Sequence, residues 1–250
     1  MIIKYTFKYV LYNKQCGTVC HGHGPNLMLR NVMSQFAALE PAKVIKPQDF
    51  RPVHRLDKNV SGVMMIARDQ EVARKVSNSL SGKPSPYQVT RRYVGLLDGV
   101  VPPTINPQGT IALPVPVYTD KVARPPVEGI THYQLLPLVG SVTPIVLQLD
   151  TGRKYQIRSH CLDFFGLPLV NDLAFKAFQQ GRSSIDPGQI GLHLGYFKLE
   201  NTKRIMEEVM APILDDPTGI WAPFINSEGN LKEPIRSALT NFKLPEAVKI

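Results

Sequence analysis

The chain has 250 residues, 43% of them hydrophobic, and a net charge of +9, which suits one sizeable core or at most two small ones and a polyanionic partner whose phosphates would release counterions on contact. The longest apolar runs, VMMIA and IVLQL, fall far short of a membrane span; no secretory signal is recognised, and no basic amphipathic helix offers the wide apolar face that anionic lipid requires. Nucleic acid is therefore the expected partner, and the three cysteines, Cys16, Cys20 and Cys161, an odd set too small for a disulfide framework, fit a reducing compartment.

There is no internal repeat or low-complexity tract, and the 22 prolines cluster in connecting segments, which implies long ordered loops. In chain order the pattern predicts a strand from Tyr5 to Leu11, a helix capped by Asn26 and running to Leu39, and a strand from Gly62 to Ile66. A helix capped by Asp69 follows to Leu80, then strands at Arg92 to Leu97, Thr131 to Leu136 and Ile145 to Leu149. Ile157, Cys161 and Phe164 lie at helical spacing within Tyr155 to Phe165, and Gly166 stops that helix. A short helix from Leu173 to Gln180, a strand from Leu192 to Leu199 and a helix from Lys203 to Met210 complete the list. Strands outnumber helices and adjoin through turns as often as through helices, so the expected fold class is α+β with a mixed sheet, in one domain spanning the whole chain.

The group Cys16, Cys20, His21 and His23 holds two thiols and two imidazoles, but a structural zinc site usually spreads its ligand pairs over two separated elements. A turn after a strand is the reading adopted, and no metal is expected. HGHGPN likewise lacks the spacing of a dinucleotide fingerprint and the ending of a P-loop.

Arg51 to Leu80 places a single carboxylate, Asp57, among His54, Arg55 and Lys58, immediately before the apolar run Val63, Met64, Met65, Ile66. A buried strand there holds the loop stiffly, and the basic neighbours create a field suited to anions. The string HRLD, two further residues, then VSG and an apolar run resembles the signature of the RluA-type pseudouridine synthases, and the resemblance makes Asp57 the catalytic nucleophile. RRYVGLLDG is similar to that family's second motif, with Tyr93 as the active-site aromatic, and TGRKYQIRSH to its third, with Arg158 against the aspartate. KYVLYNKQCGTVCHG, GLPLVND and GLHLGYFKLEN extend the likeness from Tyr9 to Asn201. Residues 202 to 250 match poorly and read as an extension of the same domain.

The resemblance implies a large, mainly antiparallel sheet with flanking helices and a central RNA cleft. Two positions depart from the family pattern: Gln15 stands where proline is usual, which relaxes a turn, and Tyr155 stands where histidine is usual, with an aromatic face and a donor retained. Many members carry a small S4-type RNA-binding domain ahead of the catalytic one. Here the first strand of the likeness begins almost at Met1, so target choice is expected to rest on the catalytic domain or on a partner.

Pseudouridylation breaks the bond from N1 of uridine to C1′, turns the base and rejoins it through C5, so no redox partner or cofactor is expected. The enzyme must keep its nucleophile ionised beside a polyanion, extract the base and hold the freed uracil. Arg158 meets the first need, since an opposite charge nearby lowers a carboxylate pKa by about 1 to 3 units. Arg55 meets the second by stacking in the gap left by the flipped nucleotide, with a phosphate contact on the surface as its alternative. Tyr93 meets the third by stacking on the base, an ordinary strand tyrosine being its alternative. His54 is expected to fix the loop by hydrogen bonding, Arg153 to serve the RNA backbone or the loop, and Ile157 to form the pocket floor. Arg91 and Arg92 flank Tyr93, and on an alternating strand at least one points away from the core towards RNA.

Three functions are weighed. An RNA pseudouridine synthase would act on ribosomal, mitochondrial or transfer RNA; a catalytically silent protein of the same fold would bind RNA or ribosome assembly particles; a hydrolase would use Asp57 as a general base. The last lacks the second carboxylate or metal cluster that such chemistry wants. Met1 to Leu39 carries Lys4, Lys8, Lys14 and Arg30 without an acidic residue, a bias shared by import segments and by the first strand and helix of the fold, so mitochondrion and cytosol both stand.

Overall fold

The strands on either side of the HRLD loop set the architecture, because their apolar runs are long enough to be covered on both faces. The computed structural model describes residues 1–22, 26–117, 124–172, 175, 186, 188–202 and 204–245. In chain order the strands are β1 (Ile2–Tyr5), β2 (Tyr9–Lys14), β3 (Arg51–Pro52), β4 (Ser61–Ala67), β5 (Tyr87–Asp98), β6 (Gln108–Val117), β7 (Arg124–Leu135), β8 (Val142–Leu149), β9 (Leu192–Asn201) and β10 (Arg204–Met210). The helices are α1 (Met28–Leu39), α2 (Gln70–Leu80), α3 (Gln156–Phe165) and α4 (Ile235–Asn241). All residues of β2 and β4 are buried.

The strands form one sheet in the order β1-β2-β4-β9-β5-β8-β7-β6, with β3 added to β4 and β10 to β9. Every pairing is antiparallel except β4 with β9, which run parallel over Ser61 with His193 and Gly62 with Leu194. Ser61 Oγ and His193 Nδ1 lie 2.8 Å apart across that junction. Gly62 has φ +125°, and a Cβ there would fall 2.4 Å from the Leu194 carbonyl oxygen, so only glycine lets the two strands meet.

Each face of the sheet carries its own core. On one, Met28, Val32 and Phe36 of α1, Val72 and Val76 of α2, and Ile157, Cys161 and Phe165 of α3 pack with Leu11, Met65 and Tyr93. On the other, Trp221, Phe224, Ile235 and Leu239 cover Val94, Leu96, Val146 and Tyr196. The poorly matched C-terminal stretch is thus the cover of the second face.

The α+β class and the mixed sheet agree with expectation, and the details correct it in five places, the first being that the strand expected from Tyr5 to Leu11 instead spans the turn between two antiparallel strands, β1 and β2. Asp69 does cap α2, accepting the Val72 N–H at 2.8 Å, but Asn26 does not cap α1, which begins at Met28 with Leu27 extended before it and no side-chain cap. The helix expected from Lys203 to Met210 is instead strand β10, paired with β9, with Glu207 turned inward to the Tyr9 hydroxyl and to Lys4 Nζ; pairing with an existing strand overrides the helical propensity of its Met and Glu residues. Strand β6 was not expected, because Pro114 and Pro116 argue against a central strand; β6 lies at the sheet edge, where proline costs no ladder bond. In α3, Phe165 is the buried residue and Phe164 is 37% exposed. Apart from Phe175, the helix expected from Leu173 to Gln180 lies outside the described residues.

Candidate active site

The loop from residue 53 to residue 60, between β3 and β4, carries Asp57, and buried groups clamp it from below. Lys14 Nζ donates to the carbonyls of Thr18 (2.8 Å), Lys58 (3.1 Å) and Gln15 (3.1 Å). The Cys20 thiol donates to the Leu56 carbonyl at 3.2 Å and accepts the Leu56 N–H at 3.4 Å, while the Cys16 thiol donates to the Asn59 carbonyl. His54 Nε2 accepts the Met65 N–H at 3.1 Å, which ties the loop back to β4 and fixes the proton of the neutral ring on Nδ1. Burial and the charge of Arg91 push His54 down to about 3, so the ring stays neutral. The segment from Lys14 to Cys20, at the end of β2 and in the turn after it, therefore buttresses the Asp57 loop. Cys16 and Cys20 are bonded to loop backbone, and His23 lies outside the described residues.

Asp57 faces Arg158 of α3, whose Nη1 donates to its Oδ2 at 3.2 Å. The rest of the guanidinium is held by Asp172, with Nε to Oδ2 at 2.8 Å and Nη2 to Oδ1 at 2.7 Å. The adjoining rings of Tyr155 and Phe175, 5.5 Å apart, pack against it with centroids 4.8 and 4.4 Å from Cζ. Burial opposes the positive charge on Arg158, and the two carboxylates outweigh that penalty and raise its pKa. The start of α3 is fixed by Gln156, whose Oε1 accepts the Arg153 N–H and the Thr151 hydroxyl while Nε2 donates to the Ile130 carbonyl and the Thr131 hydroxyl. Tyr155, at the position where histidine was expected, precedes the helix with φ 64°.

Tyr93 projects from β5 into the same cavity, which has a volume of about 470 Å³. Its ring is buried, burial pushes its pKa up so that the phenol keeps its proton, and its hydroxyl donates to no protein group among the described residues. Ile157 is buried on the cavity wall, Arg55 and Arg153 stand exposed at its rim, and His54 and Arg91 line it. Arg153 Nε also donates to the Glu128 carbonyl at 3.3 Å.

Of the sequence-derived set, the structure does not bring Arg92 to this cavity. Alternation along β5 sends it to the opposite face, where it donates to Gln148 Oε1 and to the carbonyls of Leu239 and Thr240, and lies over the Tyr196 and Phe242 rings. Asp172, Lys14 and Cys20 were missed as supports of the site. The segment GLPLVND had been matched without a role for its aspartate; an acidic residue closing a turn after α3 was the one available signal. Among the described residues no group of three metal-ligating side chains is assembled.

A carboxylate, an arginine that orients it and a protonated aromatic phenol around one cavity can attack a flipped sugar-base unit and retain the detached base. The family model described as RNA pseudouridylate synthase matches residues 8–163. The 21S rRNA pseudouridine(2819) synthase of Candida albicans is 32% identical, covering 85% of this chain and 95% of that protein. The protein of the same name from Eremothecium gossypii is 27% identical over 96% of this chain and 88% of its own length. Among solved structures, human RNA pseudouridylate synthase domain containing 1 superposes with a TM-score of 0.61 at 20% identity, covering 98% of this chain and 96% of that one, which shows a shared fold. A match over more than half of the sequence, carried by an aspartate loop, a tyrosine strand and an arginine helix that converge in space, places this chain in the RNA pseudouridylate synthase family, whose members isomerise uridine in RNA.

Proposed function

We propose that Asp57 is the nucleophile of this isomerase, and that its substrate is a uridine in the large-subunit ribosomal RNA of mitochondria. The observation that carries the first part is the 3.2 Å contact between Asp57 and Arg158 at a cavity also lined by Tyr93. The Asp57 carboxylate attacks the uridine, the bond from C1′ to N1 breaks, and the freed uracil turns against Tyr93 and Ile157. C5 then bonds to C1′, the proton lost from C5 is balanced by the one gained at N1, and the carboxylate is regenerated. Arg158 holds the carboxylate in line, and Arg55 stacks where the base was extracted. Arg153 at the rim serves the RNA backbone.

The ribosomal and mitochondrial parts rest on the Candida and Eremothecium relatives, named for 21S rRNA, which points to the mitochondrial large subunit. The residues described extend as one sheet through 210 and are covered by the segment to α4, which supports reading the whole chain as one catalytic domain. The test is incubation of the purified chain with uridine-labelled ribosomal RNA transcripts, mitochondrial and cytosolic, followed by nucleoside analysis. Pseudouridine at one position of the mitochondrial transcript is the expected result. Modification of transfer RNA alone would overturn the substrate, and no pseudouridine in any RNA would favour the silent, assembly-factor alternative.

A further inference from the structure

Arg91 is 8% exposed and lines the catalytic cavity, yet its guanidinium makes no hydrogen bond or ion pair among the described residues. The other arginines drawn into the fold are satisfied differently. Arg158 has two carboxylates, Arg92 has three acceptors and two rings, and Arg68, although its Nε has no partner, has the Thr6 carbonyl and the Phe36 ring. A buried cation without a partner is expensive to keep, and proteins normally pair it or neutralise it. No acid among the described residues pairs with it directly: Asp57 and Asp150 line the same cavity but are bonded to Arg158 and His132, and His54 is neutral.

The guanidinium is also open to a ligand. Its Nη2 lies beside the Thr151–Gly152 turn, where a Cβ on Gly152 would come to 3.5 Å, and Gly152 itself is exposed. Tyr93 is two residues further along β5 on the same face, so the two side chains stand roughly 7 Å apart along the strand. That is close to the separation between a nucleotide's base and its own phosphate.

We propose that Arg91 is a preformed receptor for one backbone phosphate of the RNA, the one adjacent to the uridine that stacks on Tyr93. The inference rests on the reading of the cavity as an RNA isomerase site and adds its anion subsite. A planar fork of donors matches two phosphate oxygens, and the phosphate supplies the direct partner that Arg91 lacks among the described residues. Arg91 thereby couples entry of the base to seating of the backbone, at the expense of stability in the free protein.

Three measurements on Arg91→Met and Arg91→Lys test it: thermal unfolding of the free protein, the salt dependence of affinity for a fluorescein-labelled single-stranded oligouridylate, and pseudouridine formation by the wild type. Arg91→Met should melt no lower than wild type, bind roughly ten- to a hundredfold more weakly at low salt, and show a log-log salt slope reduced by about 0.7. Arg91→Lys should restore the slope with only part of the affinity. A lower melting temperature or an unfolded Arg91→Met variant would make Arg91 structural and overturn the proposal. Weaker binding at an unchanged slope would also overturn it, by assigning the contact to base or ribose. If the slope changes as expected while the wild type forms no pseudouridine in any RNA, the phosphate subsite stands and the isomerase reading fails.

Discussion

Arg158 gives two of its nitrogens to Asp172 and a single one to Asp57. Asp172 is almost completely buried, so the arginine is anchored from behind and only Nη1 addresses the carboxylate proposed as nucleophile. With one cation between two carboxylates, the group as a whole stays anionic, and Arg158 acts more as an oriented donor than as a neutralising charge. Asp172→Asn should cost about 2 to 4 kcal/mol of stability by leaving a largely buried cation half-paired. It should also reduce kcat at least tenfold with little change in KM. Equal loss in both parameters, or an unaltered rate, would contradict a positioning role; denaturant unfolding and single-turnover kinetics give the two readouts.

Asp57→Asn keeps the shape of the loop and removes the carboxylate proposed as nucleophile. Pseudouridine formation should fall below detection, with RNA affinity within a few-fold of wild type and an unchanged unfolding midpoint. Turnover near the wild-type rate would exclude Asp57 as nucleophile.

Acid should destabilise the fold through histidines held neutral. Burial pushes His193 down to about 4, and burial together with Arg91 pushes His54 down to about 3. A histidine whose folded pKa lies below its unfolded value of about 6.5 contributes stability above that pH, and the contribution is lost as pH falls because only the unfolded chain takes up the proton. The loss should run at about 1.4 kcal/mol per pH unit for each residue, from about pH 6.5 down to about 4 for His193 and about 3 for His54. Titration of either ring near pH 6.5, followed by its NMR resonances, would contradict the burial that drives the shift.

Arg92 belongs to the scaffold. Arg92→Ala should remove the bonds that hold the end of α4 and destabilise the protein by about 1 to 3 kcal/mol. The salt dependence of RNA binding should remain that of the wild type, and a shallower slope would place Arg92 on the RNA surface after all.

The parts of this molecule legible in the sequence are those encoded locally. Asp57 is bracketed by basic residues and followed by a strand that cannot be mistaken, Asp69 sits where a cap belongs, and Gly166 ends α3 with φ 69°. What was not legible depends on partners distant in the chain. β10 is a strand because β9 offers an edge, and Arg92 and Arg91 part company only because β5 has a core on each face. Lys14 and Cys20 acquire their meaning from carbonyls some 36 to 44 residues further on, and Asp172 from an arginine 14 residues earlier that itself answers to Asp57.

The parallel junction between β4 and β9 divides the sheet into two unequal leaves, and the reactive groups are divided with it. Asp57 leads into β4 on one leaf, whereas Tyr93 and Arg158 belong to the strands and helix of the other. Two residue pairs form the strand ladder of the join, with the bonds of Lys4 and Tyr9 to Glu207 and of Asn13 to the Pro212 carbonyl beside it, and the ladder partners are 132 residues apart in sequence, as Ser61 and His193 show. Contacts between such distant positions carry the loop-closure entropy of everything between them and form late in folding. The cavity is therefore whole only where the two leaves meet, because the Asp57 carboxylate and the Arg158 guanidinium reach each other from opposite sides of the join.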